Sequence, residues 1–169
     1  MYGVVGDRFD MMPIPLREDA TEFFAAGALA IGVEGRVIDP EIVVTGLGTL
    51  SAEQESTLRE HQPADLDDSG PSVHVLDAAT GTEHLRFDCF ENGPHYHYVL
   101  PDEGYQVVVS MDAAACGDPI DFTIECLRKR LRPMLLAAGR GDLADLVDDN
   151  EVASVLPAVQ QLARKIATV

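Results

Sequence analysis

Two histidines separated by one residue, His95 and His97, are the residues of this chain whose types and spacing best suit chemistry. They follow a turn-forming stretch, Glu91-Asn-Gly-Pro94, and they begin a segment that alternates like a β-strand. Side chains at positions i and i+2 of a strand point to one face, about 6.5–7 Å apart along the backbone. Two imidazoles placed in this way can share one ion or line one pocket.

Asp88 is predicted to join the two histidines from the strand on the other side of the turn. Pairing across the turn would place Asp88 opposite His97 and Phe90 opposite His95. Two histidines and one carboxylate form the ligand set of a mononuclear non-haem iron centre, or of zinc with an open position. Asp88, His95 and His97 are therefore candidate metal ligands, and iron or zinc is the candidate cofactor. A metal-free ligand pocket and a solvated polar face are the alternatives.

The period of two extends this face to neighbouring strands. Arg86, Gln106 and Ser110 share it and are candidate ligand-binding residues. His74 is predicted to lie opposite Arg86. His84 is placed on the same face, but at about 13 Å from Asp88 along the strand it is too distant to ligate the same ion. The opposite face is apolar and is predicted to form the core: Leu85, Phe87, Cys89, Tyr96, Tyr98, Leu100, Tyr105, Val107 and Val109.

His95-x-His97, followed by Asp102, is similar to the first metal motif of the cupins. That family usually has Glu as its acid and completes the site with a histidine from a later strand. Here no histidine follows His97, so the second cupin motif is absent.

A longer string, Leu85-Arg-Phe-Asp-Cys-Phe-Glu-Asn-Gly-Pro-His-Tyr-His-Tyr98, resembles an uncharacterised, mainly actinobacterial family of unknown function. The resemblance covers about residues 73–168 and leaves the N-terminal third outside. It implies no activity, but it implies that the strands and the helices after them form one unit.

The elements that must position these side chains are a meander and a helical tail. Turn residues separate four predicted strands, which are Val73–Asp77, Glu83–Phe90, His95–Leu100 and Tyr105–Met111. Asp118 is a predicted N-cap, and Pro133 is predicted to kink or split the helix that follows. A last helix begins at Asn150 or, as Pro157 favours, at Ser154, and it ends near Ala167. The two amphipathic helices are expected to cover the apolar face.

The N-terminal part is predicted to contain a helix over Glu18–Ala30 and short extended segments at Arg36–Ile38 and Glu41–Thr45. Ser51-Ala-Glu-Gln resembles a capping box before a helix that ends near His61, and Pro63–Pro71 is predicted to be a loop. The whole chain is expected to be one domain, 1–169, made of segments 1–50, 51–72 and 73–169. Its predicted class is α+β, with a four-stranded antiparallel meander packed on C-terminal helices.

The composition limits the partners. Twenty-nine acidic and twelve basic residues give a formal charge of −17, which opposes binding to nucleic acid or to an anionic membrane. No apolar run approaches the ~20 residues that span a bilayer, and no signal peptide is evident. Three cysteines without C-x-x-C spacing favour reduced thiols and a cytoplasmic location. A basic cluster, Arg128–Arg132, is a possible partner site.

The sequence therefore favours a small cytosolic binding or assembly module that uses the polar histidine face of its sheet. A homo-oligomer or a protein partner is expected because the apolar stretch from Phe23 to Val44 needs cover. The alternative function is a mononuclear metal-dependent enzyme with Asp88, His95 and His97 as its site. No catalytic residue or substrate is indicated.

Overall fold

A computed structural model of the chain describes residues 5–61 and 66–169. The described residues form one antiparallel sheet of seven strands, in the order β1-β7-β6-β5-β4-β3-β2. The α+β class is confirmed, but four strands were too few because residues 7–38 add three more. The strands are β1 Asp7–Phe9, β2 Glu22–Ala26, β3 Leu29–Ile38, β4 Asp68–Asp77, β5 Glu83–Asp88, β6 His95–Leu100 and β7 Tyr105–Ser110.

Seven α-helices lie in the described part of the chain, five of them after the last strand. They are α1 Pro40–Gly46, α2 Ala52–His61, α3 Ala113–Cys116, α4 Pro119–Lys129, α5 Leu131–Ala137, α6 Gly141–Asp145 and α7 Asp149–Ala167. None of these described helices has the length and apolar character that a membrane crossing requires.

The predicted helix over Glu18–Ala30 is wrong. These residues form a single 3₁₀ turn, then β2, and then the start of β3. Gly27, at a φ of 65°, makes the tight turn between the two strands. Phe23, Phe24, Ala28 and Leu29 have helical spacing, but β3 pairs with β4 along ten residues, and this long-range pairing overrides the local pattern.

The extended segment predicted over Glu41–Thr45 is also wrong, because these residues lie in α1. Asp39 caps this helix by accepting a hydrogen bond from the Ile42 amide, and Pro40 occupies its first turn. The prediction for Arg36–Ile38 is confirmed, since they end β3.

The polar segment after α1 is partly as predicted. The capping box is confirmed, since Ser51 and Gln54 exchange hydrogen bonds between side chain and backbone. The loop predicted for Pro63–Pro71 ends earlier than expected, because β4 already begins at Asp68. The first residues of that loop, 63–65, lie outside the described residues.

The helices after the sheet cover one of its faces, as expected. Leu85 and Phe87 of β5 are buried in a common core with residues of α4, α5 and α7. Asp118 caps α4 as predicted, and the split predicted near Pro133 occurs between α4 and α5. The last helix starts earlier than Pro157 suggested, because Asp148 caps it and the proline lies inside α7.

Candidate functional site

The candidate site lies on the other face of the sheet, where β5 and β6 meet. Asp88 is opposite His95 and Arg86 is opposite His97, so the register differs by two residues from the predicted one. The cause is a longer connection, since six residues separate Asp88 from His95 instead of the four assumed. A shift of two leaves the side chains of Asp88, His95 and His97 on their predicted face, because the strand period is two.

Asp88, His95 and His97 therefore come together as predicted. One carboxylate oxygen, Asp88 Oδ2, lies 3.3 Å from His95 Nε2 and 3.0 Å from His97 Nε2. The three potential ligand atoms all lie within 4.8 Å of one another. Asp88 and His97 are buried, whereas His95 is partly exposed. This group has the residue types of a three-ligand metal site.

Each member of the group is held by a second contact. Ser72 donates its hydroxyl to Asp88 Oδ1, the oxygen that does not face the histidines. His95 Nδ1 lies 2.7 Å from the Gly93 carbonyl oxygen, and His97 Nδ1 lies 2.7 Å from Gln106 Oε1. Gln106, predicted to bind a ligand, thus positions a histidine.

The mutual contacts shift the pKa of each group. Burial alone would raise the pKa of Asp88, but hydrogen bonds from His95 and His97 outweigh it and hold that pKa well below its usual range. Burial would lower the pKa of His95, yet the hydrogen bond and charge of Asp88 raise it. The pKa of His97 is lowered, because its burial outweighs the same attraction.

A second polar cluster adjoins this group on the same face. Arg86 donates two hydrogen bonds to Glu83, at 2.8 Å and 2.7 Å. His74 lies between two carboxylates, with Nδ1 against Glu83 and Nε2 3.2 Å from Glu34 Oε1. The pKa of His74 is raised, since these carboxylates outweigh its burial. His74 lies opposite Arg86 as predicted, but it contacts glutamates rather than Asp88.

His84 does not lie on this face, contrary to the prediction. The register of β4 and β5 shifts between Val75 and Leu76, which brings Glu83 opposite Leu76. This extra residue in β5 is a β-bulge, and it turns the His84 side chain towards Arg140, which follows α5. The same bulge places Glu83 beside Arg86.

The polar face forms the floor of a cavity of about 910 Å³. Arg86, Gln106 and Ser110 line it together with the Asp88–His95–His97 group. The N-terminal segment, α1 and α2 supply apolar walls, among them Phe9, Met11, Ile14, Val43, Leu47 and Leu58. The polar face is therefore partly covered by apolar residues.

Glu34, Arg36, Ser72 and Glu83 also belong to this face, and the sequence analysis missed them. In the segment Val33-Glu-Gly-Arg-Val37, polar and apolar residues alternate as in a β-strand. This alternation could have indicated that Glu34 and Arg36 share one face of a strand.

A family model for a domain of unknown function, DUF7700, matches residues 23–163. The chain belongs to this family. The expectation of an uncharacterised family is confirmed, and the DUF7700 match also covers β2, β3 and the first helices, which the resemblance left out. No curated protein and no solved structure matches the chain. The DUF7700 region contains all three residues of the candidate metal group.

Proposed function

We propose that this protein binds a small molecule that has an anionic head group and an apolar body. The observation that carries the proposal is the cavity of about 910 Å³, in which apolar walls face a buried polar floor. Small-molecule sites commonly have this size and this mixture of apolar lining with a few convergent polar groups. The ligand would place its head group against the sheet and its body between α1, α2 and the N-terminal segment.

Two arginines favour an anionic head group. Arg36 and Arg86 line the cavity and are both buried. Arg86 uses Nε and Nη2 on Glu83, and Nη1 makes no hydrogen bond to another described residue. Arg36 makes long contacts with the Ile14 carbonyl, at 3.4 Å and 3.5 Å, and its Nη1 lies 3.3 Å from Glu34 Oε1. Guanidinium groups with unused donors bind carboxylates and phosphates well.

The local charge also permits an anion, although the whole chain is acidic. Behind the cavity lining, Glu34 and Glu83 contact Arg36, Arg86 and the His74 imidazole, whose pKa is raised. These pairs are close to neutral when His74 is protonated. The carboxylates of Asp7, Asp67, Asp68 and Asp88 also line the cavity, so an anionic head group would bind close to Arg36 and Arg86.

Decanoate, a ten-carbon carboxylate, is a suitable probe because it combines both parts of such a ligand. We expect it to bind with a stoichiometry of one in a calorimetric titration, and to bind at least about tenfold more tightly than uncharged decanol. The variant Arg36→Gln should reduce this preference, whereas Arg17→Gln, at an exposed arginine outside the cavity, should not. Equal affinity for the two probes would refute the anionic head group, and no binding of either would refute the cavity as a site.

Self-association and a cytoplasmic location belong to the same proposal. β2 is an edge strand of the described sheet, and Phe23 on it is 44% exposed, so a second copy could pair along this edge. The three cysteines are unpaired, which suits a reducing compartment. Light scattering measures the mass in solution. A dimer mass for the wild type and a monomer mass for Phe23→Lys would support the pairing. A monomer mass for the wild type would contradict it.

A further inference from the structure

We infer that Asp88, His95 and His97 bind one divalent transition-metal ion at the floor of the cavity. The ligand atoms are Asp88 Oδ2, His95 Nε2 and His97 Nε2. Imidazole nitrogens with a single carboxylate suit zinc, iron(II), cobalt and nickel, whereas calcium and magnesium prefer oxygen ligands.

The contacts of the two imidazoles leave room for a positive species beside Asp88. The Gly93 carbonyl can only accept a hydrogen bond, so His95 Nδ1 carries a proton. The Gln106 side-chain oxygen, 2.7 Å from His97 Nδ1, accepts the proton of that nitrogen when Nδ1 carries it. With both rings protonated on Nδ1, a proton or a metal ion must lie between each Nε2 and Asp88 Oδ2 for the contact to be attractive.

A metal ion supplies that positive charge better than two protons would. Protonation of both rings would place two imidazolium groups 4.8 Å apart, measured between ring centroids, in a largely buried site. One ion satisfies both lone pairs and the carboxylate together. His74 provides a contrast, because both of its nitrogens face carboxylates and a proton on each is sufficient.

The spacing of the ligand atoms also bears on metal binding. Ligand bonds of about 2.0–2.2 Å around a tetrahedral ion separate neighbouring ligand atoms by about 3.3–3.6 Å. The distances of 3.3 Å and 3.0 Å from Asp88 Oδ2 to the two Nε2 atoms are close to this separation. All three ligand atoms lie within 4.8 Å of one another, so the two Nε2 atoms must approach each other slightly to complete a tetrahedral set.

Each of the three ligands also has a hydrogen-bond partner behind it. Metal-bound histidines usually donate their other N–H to a carbonyl or carboxylate, and metal-bound carboxylates are hydrogen-bonded in turn. Gly93, Gln106 and Ser72 provide these three contacts. Three protein ligands leave at least one coordination position, and all three residues line the cavity, so that position faces it.

Titration of the untagged protein with Zn²⁺ tests the inference. We expect one saturable site whose affinity falls more than about 100-fold in His95→Ala and about 10–100-fold in Gln106→Leu. Tyr96→Phe is the control, since this residue stands between the two histidines but points into the opposite, apolar face. It should change the affinity by less than about twofold. Folding of each variant is checked by circular dichroism.

A second measurement needs no variant. In wild-type protein, Zn²⁺ should shift the imidazole NMR signals of His95 and His97 and leave those of His74 and His84 in place. Absence of saturable binding at millimolar Zn²⁺, or an unchanged affinity in folded His95→Ala, would overturn the inference. Decanoate binding is measured separately in the presence of a chelator, so failure of the metal site and failure of the ligand site can be distinguished.

Discussion

Replacement of Glu83 by glutamine should destabilise the protein strongly. The Glu83 carboxylate accepts two hydrogen bonds from Arg86, and its Oε1 contacts His74 Nδ1, on the polar side of the sheet. Its burial would raise its pKa, but Arg86 and His74 outweigh this and lower the pKa to about 2 from 4.5. A shift of about 2.5 units corresponds to about 3 kcal/mol of stability. Glu83→Gln should therefore lose about 3 kcal/mol of unfolding free energy at pH 7.

The pH dependence gives a sharper test of the same residue. Because the folded-state pKa of Glu83 is depressed, its contribution is complete above pH 4.5 and is lost as the pH falls towards about 2. The difference between wild type and Glu83→Gln in urea unfolding should thus fall from about 3 kcal/mol at pH 7 to about 2 kcal/mol at pH 3.5.

Glu22→Gln is the matched control, since Glu22 is an exposed glutamate on β2 and loses the same charge. We expect this variant to lie within about 0.5 kcal/mol of wild type at both pH values. A Glu83→Gln variant as stable as Glu22→Gln, or a difference that grows as the pH falls, would refute the role given to the Glu83–Arg86 pair.

Two further predictions concern the helical layer and its sheet. Leu135→Ala should lower the free energy of unfolding in urea by about 2–5 kcal/mol, because Leu135 is fully buried. Leu136 is 59% exposed, so Leu136→Ala should lower it by less than about 0.5 kcal/mol. Similar losses for the two variants would contradict the position of α5. Iodoacetamide at pH 8 should modify native Cys116 first, since burial raises the pKa of Cys89 to about 12 and that of Cys126 to about 11. Mass spectrometry identifies the order in which the three cysteines are modified. Modification of Cys89 before Cys116 would contradict the prediction.

The sequence predicted the candidate site better than the fold around it. Asp88, His95 and His97 were placed on one face because strand periodicity fixes the face of a side chain even when the register is wrong by two. His84 was misplaced because nothing in its local pattern signals the bulge that turns it away. The register shift there depends on pairing with β4, which is a tertiary event.

The N-terminal strands illustrate the same limit. Glu18–Ala30 has apolar residues at helical spacing. The pairing of β3 with β4 favours strands over a helix in this part of the chain. Without that strand, Glu34 and Arg36 could not be assigned to the polar face. The cavity escaped prediction for a related reason, since its walls come from α1 and α2, which are distant in sequence from the floor.

If the polar face of the sheet is the floor of a ligand-binding cavity, decanoate should shift the NMR signals of the residues that line it. In isotopically labelled wild-type protein we expect shifts for residues of the floor and walls, such as His97, Ile14 and Leu47. The signals of Ile124 and Leu156 in the helical core should change little. Shifts confined to the helical layer or to the β2 edge, with the cavity signals unchanged, would contradict this expectation.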